Sequence, residues 1–330
     1  MPTGSPARPT SGGAADLAAI GRSGRPRRGQ CAEPGSRFPP YRVCVTTIQQ
    51  TDDVWAVDGR SAQPRALIVT VYGLYARETG GWLSVSALIR LLAELGVDEP
   101  AVRSAISRLK RRGLLTPERR DGLAGYALSD AGRDVLHEGD ERIFHRPRAT
   151  LADGWLLAVF SVPESERQRR HTLRSRLAWL GFGTAAPGVW VAPAHLYDTT
   201  RSALERHGLD HYVNLFRADY LAFGDVSELI GSWWDLAGLQ DLYGEFVAAY
   251  RPVLAKWQRQ SPSEREAEAF ADWVRALTAW RRLPYLDPGL PAELLPPDWK
   301  GTAAADLFTE LQQTLAGPAH DLSWLTASWF

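Results

Sequence analysis

Cysteine is almost absent from this chain of 330 residues: only Cys31 and Cys44 occur, both near an irregular N-terminal end. Two such residues supply neither a disulfide framework nor a cysteine-rich metal site. Long apolar runs are missing as well. No stretch approaches the roughly eighteen consecutive apolar residues that a membrane-spanning helix needs. The Arg-, Gly- and Pro-rich start lacks the apolar centre of a secretory signal. The chain therefore reads as cytoplasmic, without a membrane partner. Catalytic signatures are lacking too. There is no P-loop, no Gly-x-Ser-x-Gly elbow and no Gly-x-Gly-x-x-Gly fingerprint, and the seven histidines are scattered without a Glu-flanked zinc motif. The carboxylates that do cluster, Glu264, Glu266 and Glu268, fall at a helix start, where they favour the dipole. No enzymatic activity, cofactor or metal site is expected.

The formal net charge is zero, but its distribution is sorted. Residues 103–120 hold seven Lys and Arg against the single acid Glu118, whereas from Asp225 onward there are fifteen acids and eight bases. A basic patch in one part and an acidic excess in another suggest a polyanion partner for one part only. Residues 1-60 are dominated by Gly, Pro, Ser, Ala and Arg with almost no apolar period, and a disordered extension is expected there. Its Arg22, Arg25, Arg27 and Arg28 read as an arm that grazes DNA, as a solvated tail, or as part of an upstream extension from a misassigned start near Val43 or Val45.

Periodic order begins at Pro64. "PRALIVTVYGLYAR" predicts a first helix and "SVSALIRLLAELG" a second, with Val85, Leu88, Leu92 and Leu95 on its buried stripe. Ser84 is placed to cap the second helix, and Gly96 to end it. A third helix follows in "VDEPAVRSAISRLKRRGLL". Here Val102, Ala105, Ile106 and Leu109 share one face, Asp98 is placed to cap, Pro100 sits just inside the start and Gly113 stops the helix. Off that stripe lie Arg103, Ser104, Ser107, Arg108, Lys110, Arg111 and Arg112. "LLTPERRDGLAGYALS" then predicts two short strands, 114–116 and 126–128, joined by a basic hairpin carrying Arg119 and Arg120. Helix, turn, basic helix and basic hairpin in this order make a winged helix-turn-helix, in which the second helix of the pair can enter a DNA groove. A DNA operator contacted by the nine polar and basic residues just named, and a homodimer on two half-sites, follow as expectations. The alternative is a winged helix used for protein contacts, with its charges solvated.

A helix over "SDAGRDVLHEGDERIF" leaves the hairpin, with Val135, Leu136 and Ile143 as its apolar contacts, and breaks at 145–148. The next segments alternate as β-α-β-β-α-β over roughly 152–220, the pattern of a ferredoxin-like sandwich. Three helices complete the chain, the first two read as an antiparallel pair rich in buried aromatics. The expected fold class is thus a multidomain α+β protein. It divides into a winged helix-turn-helix over 61-150, a ferredoxin-like module over 151-224 and a helical domain over 225-330.

From about residue 64 to about 315 the chain resembles the bacterial phenylacetate-catabolism repressors, the PaaX-like regulators. The resemblance rests on "AVRSAISRLKRRGLL", "LSDAGRDVLHEGDERIF", "WLLAVFSVPE", "LRSRLAWLGFGTAAPGVWVAP" and "RRLPYLDPGLPAELLPPDW" in this order. It implies a transcriptional repressor released from its operator by an aryl-CoA thioester such as phenylacetyl-CoA. The long Arg-rich N-terminus departs from the pattern. A thioester of this kind needs cations beside aromatics, and the candidate contacts are Arg167, Arg170 and Arg174 on one helix flank, with Trp179 and Trp190. Two other readings stand beside the repressor. One is a metal-dependent nuclease built on the central module, which would need an Asp at the end of the module's first strand; here that strand ends "VFSVPES", with only Glu164 nearby. The other is an architectural module that binds DNA or protein without sequence preference.

Overall fold

The structure, a computed structural model, describes residues 64–77, 80–145, 148–221 and 223–320. The expected extension 1-60, with both cysteines and the arginines of 22–28, lies outside the described residues. Helix α1 (Pro64–Val71) starts on a proline, whose missing N–H costs nothing in a first turn. It runs on as a π-type stretch, Tyr72–Ala76. Every side chain from Ala66 to Val71 is buried, so α1 must be covered from more than one direction.

Strand β1 (Trp82–Ser84) was not expected; three residues are too few to display a period of two. Ser84 ends it and caps α2 (Val85–Glu94) by accepting from the Ala87 N–H. The buried face of α2 is Ala87, Leu88, Leu91 and Leu92, while Val85, expected on that stripe, is half-buried. In α3 (Glu99–Arg111) the four expected apolar positions, Val102, Ala105, Ile106 and Leu109, are all buried. Strands β2 (Leu115–Arg120) and β3 (Leu123–Leu128) run longer than the expected cores, and β1 pairs with the free edge of β3, giving the antiparallel order β1-β3-β2. Helix α4 (Asp130–Phe144), capped by Ser129, leads away from this sheet.

The next six elements appear in the expected order: β4 (Trp155–Phe160), α5 (Arg167–Trp179), β5 (Gly183–Ala186), β6 (Val189–Pro193), α6 (Tyr197–Arg206) and β7 (Val213–Ala218). Their sheet is antiparallel throughout, in the order β5-β6-β4-β7. One face buries Leu156, Ala158 and Trp190 in the main core. The other packs Trp155, Leu157 and Val191 against α7 (Val226–Trp233) and the 290–295 segment, forming a separate small core. Helix α7 is two turns long and gave no periodic signal.

The remaining helices are α8 (Leu236–Trp257), α9 (Glu266–Trp280), the one-turn α10 (Leu283–Leu286) and α11 (Lys300–His320). The α8–α9 pair expected from the sequence is not the principal contact. Helix α11 lies along both, its Phe308 stacked on Trp280 at 4.7 Å and on Trp273 at 5.7 Å. Helix α9 also covers α1. Arg281 donates to the Ala66 carbonyl at 3.0 Å, Thr70 and Thr278 share a hydroxyl contact of 2.7 Å, and the Tyr75 and Phe270 rings lie 5.5 Å apart. These pairs run in opposite sequence order, so α1 and α9 are antiparallel. Among the described residues no helix is long and apolar enough to cross a membrane.

Candidate nucleic-acid interface

The junction between α2 and α3 is built by local chemistry. The Gly96 N–H donates to Ala93 O and the Val97 N–H to Leu92 O, and Gly96 adopts φ +73°, a conformation that costs a side-chain-bearing residue more than glycine. Asp98 then caps α3 through the Ala101 N–H at 2.8 Å. Burial of Val102, Ala105, Ile106 and Leu109 fixes the rotation of α3 about its axis, which turns Arg103, Ser104, Ser107, Arg108, Lys110 and Arg111 to solvent. Arg112, at the C-terminal end, is half-buried. Arg103 is held by Glu99 at 2.6 Å, one turn earlier. Arg108, Lys110 and Arg111 make no ion pair among the described residues.

The neighbouring hairpin turns at Asp121 and Gly122, with φ of +49° and +81°, the two left-handed positions of a type I′ turn. Its two arginines differ. Arg119 is exposed and donates to the Gly122 carbonyl at 2.8 Å. Arg120 is half-buried, paired with Glu118 at 2.6 Å and laid over the Trp82 ring at 5.5 Å. Trp82 belongs to the unexpected β1 and donates its indole N–H to Glu118 O at 3.2 Å, so that strand orients the base of the hairpin.

The five residues expected at an effector site do not converge. Arg167 and Arg174 are exposed on α5, and Arg170 is held by Glu164 at 2.6 Å and by the Val162 carbonyl at 3.1 Å. Trp179 closes the far end of that helix, roughly 18 Å from Arg167 at 1.5 Å per residue. It packs on Tyr285 at 4.5 Å, with Arg142 over its ring at 5.3 Å. Trp190 is buried in the main core. A cavity of about 200 Å³ lies elsewhere, walled by Trp155, Tyr220, Thr150, Val226 and Asp219. None of these five was singled out from sequence, because the cavity draws on 149–155, Pro193, 219–226 and Pro291, stretches far apart in the chain. Beside that region, burial lowers the proton affinity of His195, opposed by Asp153 and reinforced by Arg142.

No group of three or more potential metal ligands occurs among the described residues. His207 and His211 are four apart in sequence, but α6 ends at Arg206 and Gly208 takes φ +59°, so they do not share a helical face. Glu164, the acid closest in sequence to the end of β4, is engaged by Arg170.

Three family models match the chain in succession. They are described as PaaX-like protein over residues 63–132, PaaX protein central Cas2-like domain over 148–230, and PaaX-like protein C-terminal domain over 234–323. The transcriptional repressor PaaX of Escherichia coli (strain K12) is 28% identical over 280 residues, covering 83% of this chain and 85% of that protein. An uncharacterized protein from Mycobacterium tuberculosis has a similar fold, with a TM-score of 0.52 and 24% identity over 82% of this chain and all of that one. With all three models matching in order, the chain belongs to the PaaX-like protein family.

Proposed function

We propose that this protein is a DNA-binding transcriptional regulator, a repressor, composed of a winged helix-turn-helix over 61-150, a ferredoxin-like module over 151-224 and a helical domain over 225-330. The observation that carries the reading is the solvent-facing side of α3. Arg108, Lys110 and Arg111 stand exposed, without ion-pair partners among the described residues, beside a basic hairpin. A helix of this width enters the major groove, about 12 Å across, where Arg and Ser read base edges and the remaining cations meet phosphates. The kinship with a named repressor supports the same reading. Selection of duplexes from a random-sequence pool tests it: a repressor enriches one site with two half-sites, and an architectural module enriches none. Replacing Arg108 and Arg111 together with Ala should weaken binding to the selected site by about 10-fold or more, since one lost base or phosphate contact costs about 1–3 kcal/mol. Both side chains are exposed, so folding should be retained; unchanged affinity in the folded double variant refutes the assignment.

The same reading includes release by an aryl-CoA thioester. Such a ligand must bind the DNA-free conformation more tightly than the DNA-bound one, by the same factor with which it weakens DNA binding. Phenylacetyl-CoA titrated against the protein–duplex complex should free the DNA, and calorimetry should show it binding the free protein. Failure of both removes the effector and leaves the DNA-binding reading intact.

A further inference from the structure

Helix α5 carries five arginines within thirteen residues and no acid. Two of them are committed. Arg170 is held by Glu164, and Arg176 lies over the Trp179 ring at 5.4 Å. Arg167 and Arg174, seven residues apart, are exposed and make no ion pair among the described residues, with exposed His171 between them. Leu173 and Leu177, about 100° round the helix from the stripe, are fully buried, which turns Arg167, His171 and Arg174 to a solvent-facing flank.

The stripe has a direction. Phe160 at the end of β4 pairs with Val213 at the start of β7, so the beginning of α5 and the end of α6 lie at the same end of the sheet. The Tyr212 hydroxyl, donating to Glu166, ties them together there. Arg206, at the end of α6, forms an ion pair with Glu138 of α4. The far end of α5 is bound instead by Arg142, one turn further along α4, which donates to the Trp179 and Leu180 carbonyls at 2.9 and 3.0 Å. Since α4 departs from the hairpin sheet, the arginine-rich start of α5 is the end nearer α3 and the hairpin.

We propose that Arg167 and Arg174 of α5 contact backbone phosphates of DNA flanking the segment that α3 reads, so that the central module forms part of the DNA interface. The inference rests on the DNA-binding reading above. Cations exposed on an open helix face suit an extended polyanion better than a small anionic ligand. A small ligand needs a concave site to be desolvated, whereas each phosphate contact on a duplex releases condensed counterions without any pocket. Seven residues of helix span about 10 Å, roughly three base-pair steps of backbone.

The test uses the full-length R167A/R174A variant and a duplex selected by the wild-type protein, in a long form with flanks and trimmed to its minimal bound length. On the long form the slope of log K against log salt should fall by up to about 2, at about 0.9 per phosphate. Affinity at moderate salt should drop about tenfold, and on the trimmed form both proteins should behave alike. R167K/R174K should restore the long-duplex slope, because a phosphate contact needs only charge. An unchanged slope on the long duplex, or equal losses on both, overturns the proposal. So does a variant with intact DNA binding that phenylacetyl-CoA no longer releases, which would give these arginines to the thioester. If the wild-type protein selects no site at all, the repressor reading on which this proposal rests has itself failed.

Discussion

His195 shows how one side chain registers its surroundings. It sits in the turn after β6, with Nδ1 buried and without a hydrogen-bond partner among the described residues. Burial lowers its affinity for a proton; Asp153 pulls the other way, and Arg142 adds to the lowering. The sign of the consequence follows from linkage. The unfolded chain, with an ordinary histidine near pH 6.5, takes up the proton before the folded protein does. At pH 8 the imidazole is neutral in both states and contributes nothing to the pH slope. As pH falls below about 6.5 the unfolded state gains protons that the folded state refuses, and stability declines until the lower folded value is passed. Urea midpoints measured from pH 8 to pH 5.5 should therefore fall more steeply in the wild-type protein than in a His195→Asn variant. Parallel curves for the two proteins would show that His195 is not the responsible group.

At the level of elements, glycines mark where backbones approach too closely for a side chain. A Cβ on Gly132, in the first turn of α4, would stand 2.4 Å from the Leu114 carbonyl oxygen. Alanine is the better helix former by about 1 kcal/mol, but relief of a backbone clash of that size requires α4 to move off the hairpin sheet. The clash is expected to win, so Gly132→Ala should destabilise the protein by about 1–3 kcal/mol in urea denaturation; a stabilised variant would mean that α4 shifts freely. The same closeness explains what the sequence revealed and what it hid. The rotation of α3 was legible because four apolar residues at helical spacing define a buried face, and the candidate interface is simply its complement. The element order of the central module was legible from strand and helix periods. Strand β1 and helix α7 were not, being too short to show a period. The role of α11 was hidden because its partners are set by tertiary packing of Trp273, Trp280 and Phe308, not by neighbours in sequence. The expected effector set failed to converge for a related reason: Arg167 and Trp179 are close in sequence yet at opposite ends of a rod, and Trp190 serves the core.

For the whole molecule, the decisive contact joins the first described helix to one of the last. Helix α1 supports α3 on one side and meets α9 on another, through Ala66–Arg281, Thr70–Thr278 and Tyr75–Phe270. Arg281 is almost wholly buried there, and burial pushes its guanidinium down to about 10, still charged at neutral pH. Desolvating that cation is costly, and its hydrogen bond to the Ala66 carbonyl, which exists only while α1 and α9 are docked, offsets part of the cost. Helix α1 is buried on nearly all sides, so removing α9 exposes apolar surface worth about 1.5–3 kcal/mol per large side chain. A domain of that size has only about 5–15 kcal/mol of stability in total. A fragment of residues 61–150 should therefore unfold at a much lower urea midpoint than the intact chain, or fail to fold, even though it holds the whole candidate DNA-reading surface. A fragment as stable as the full protein would show that α9 is dispensable to α1. If the dependence holds, a ligand that displaces α9 acts on the support of α3 directly, because the helix next to this candidate DNA-reading helix is part of both cores. The proposed release by a ligand then requires no long relay, only a ligand whose affinity differs between docked and displaced positions of α9.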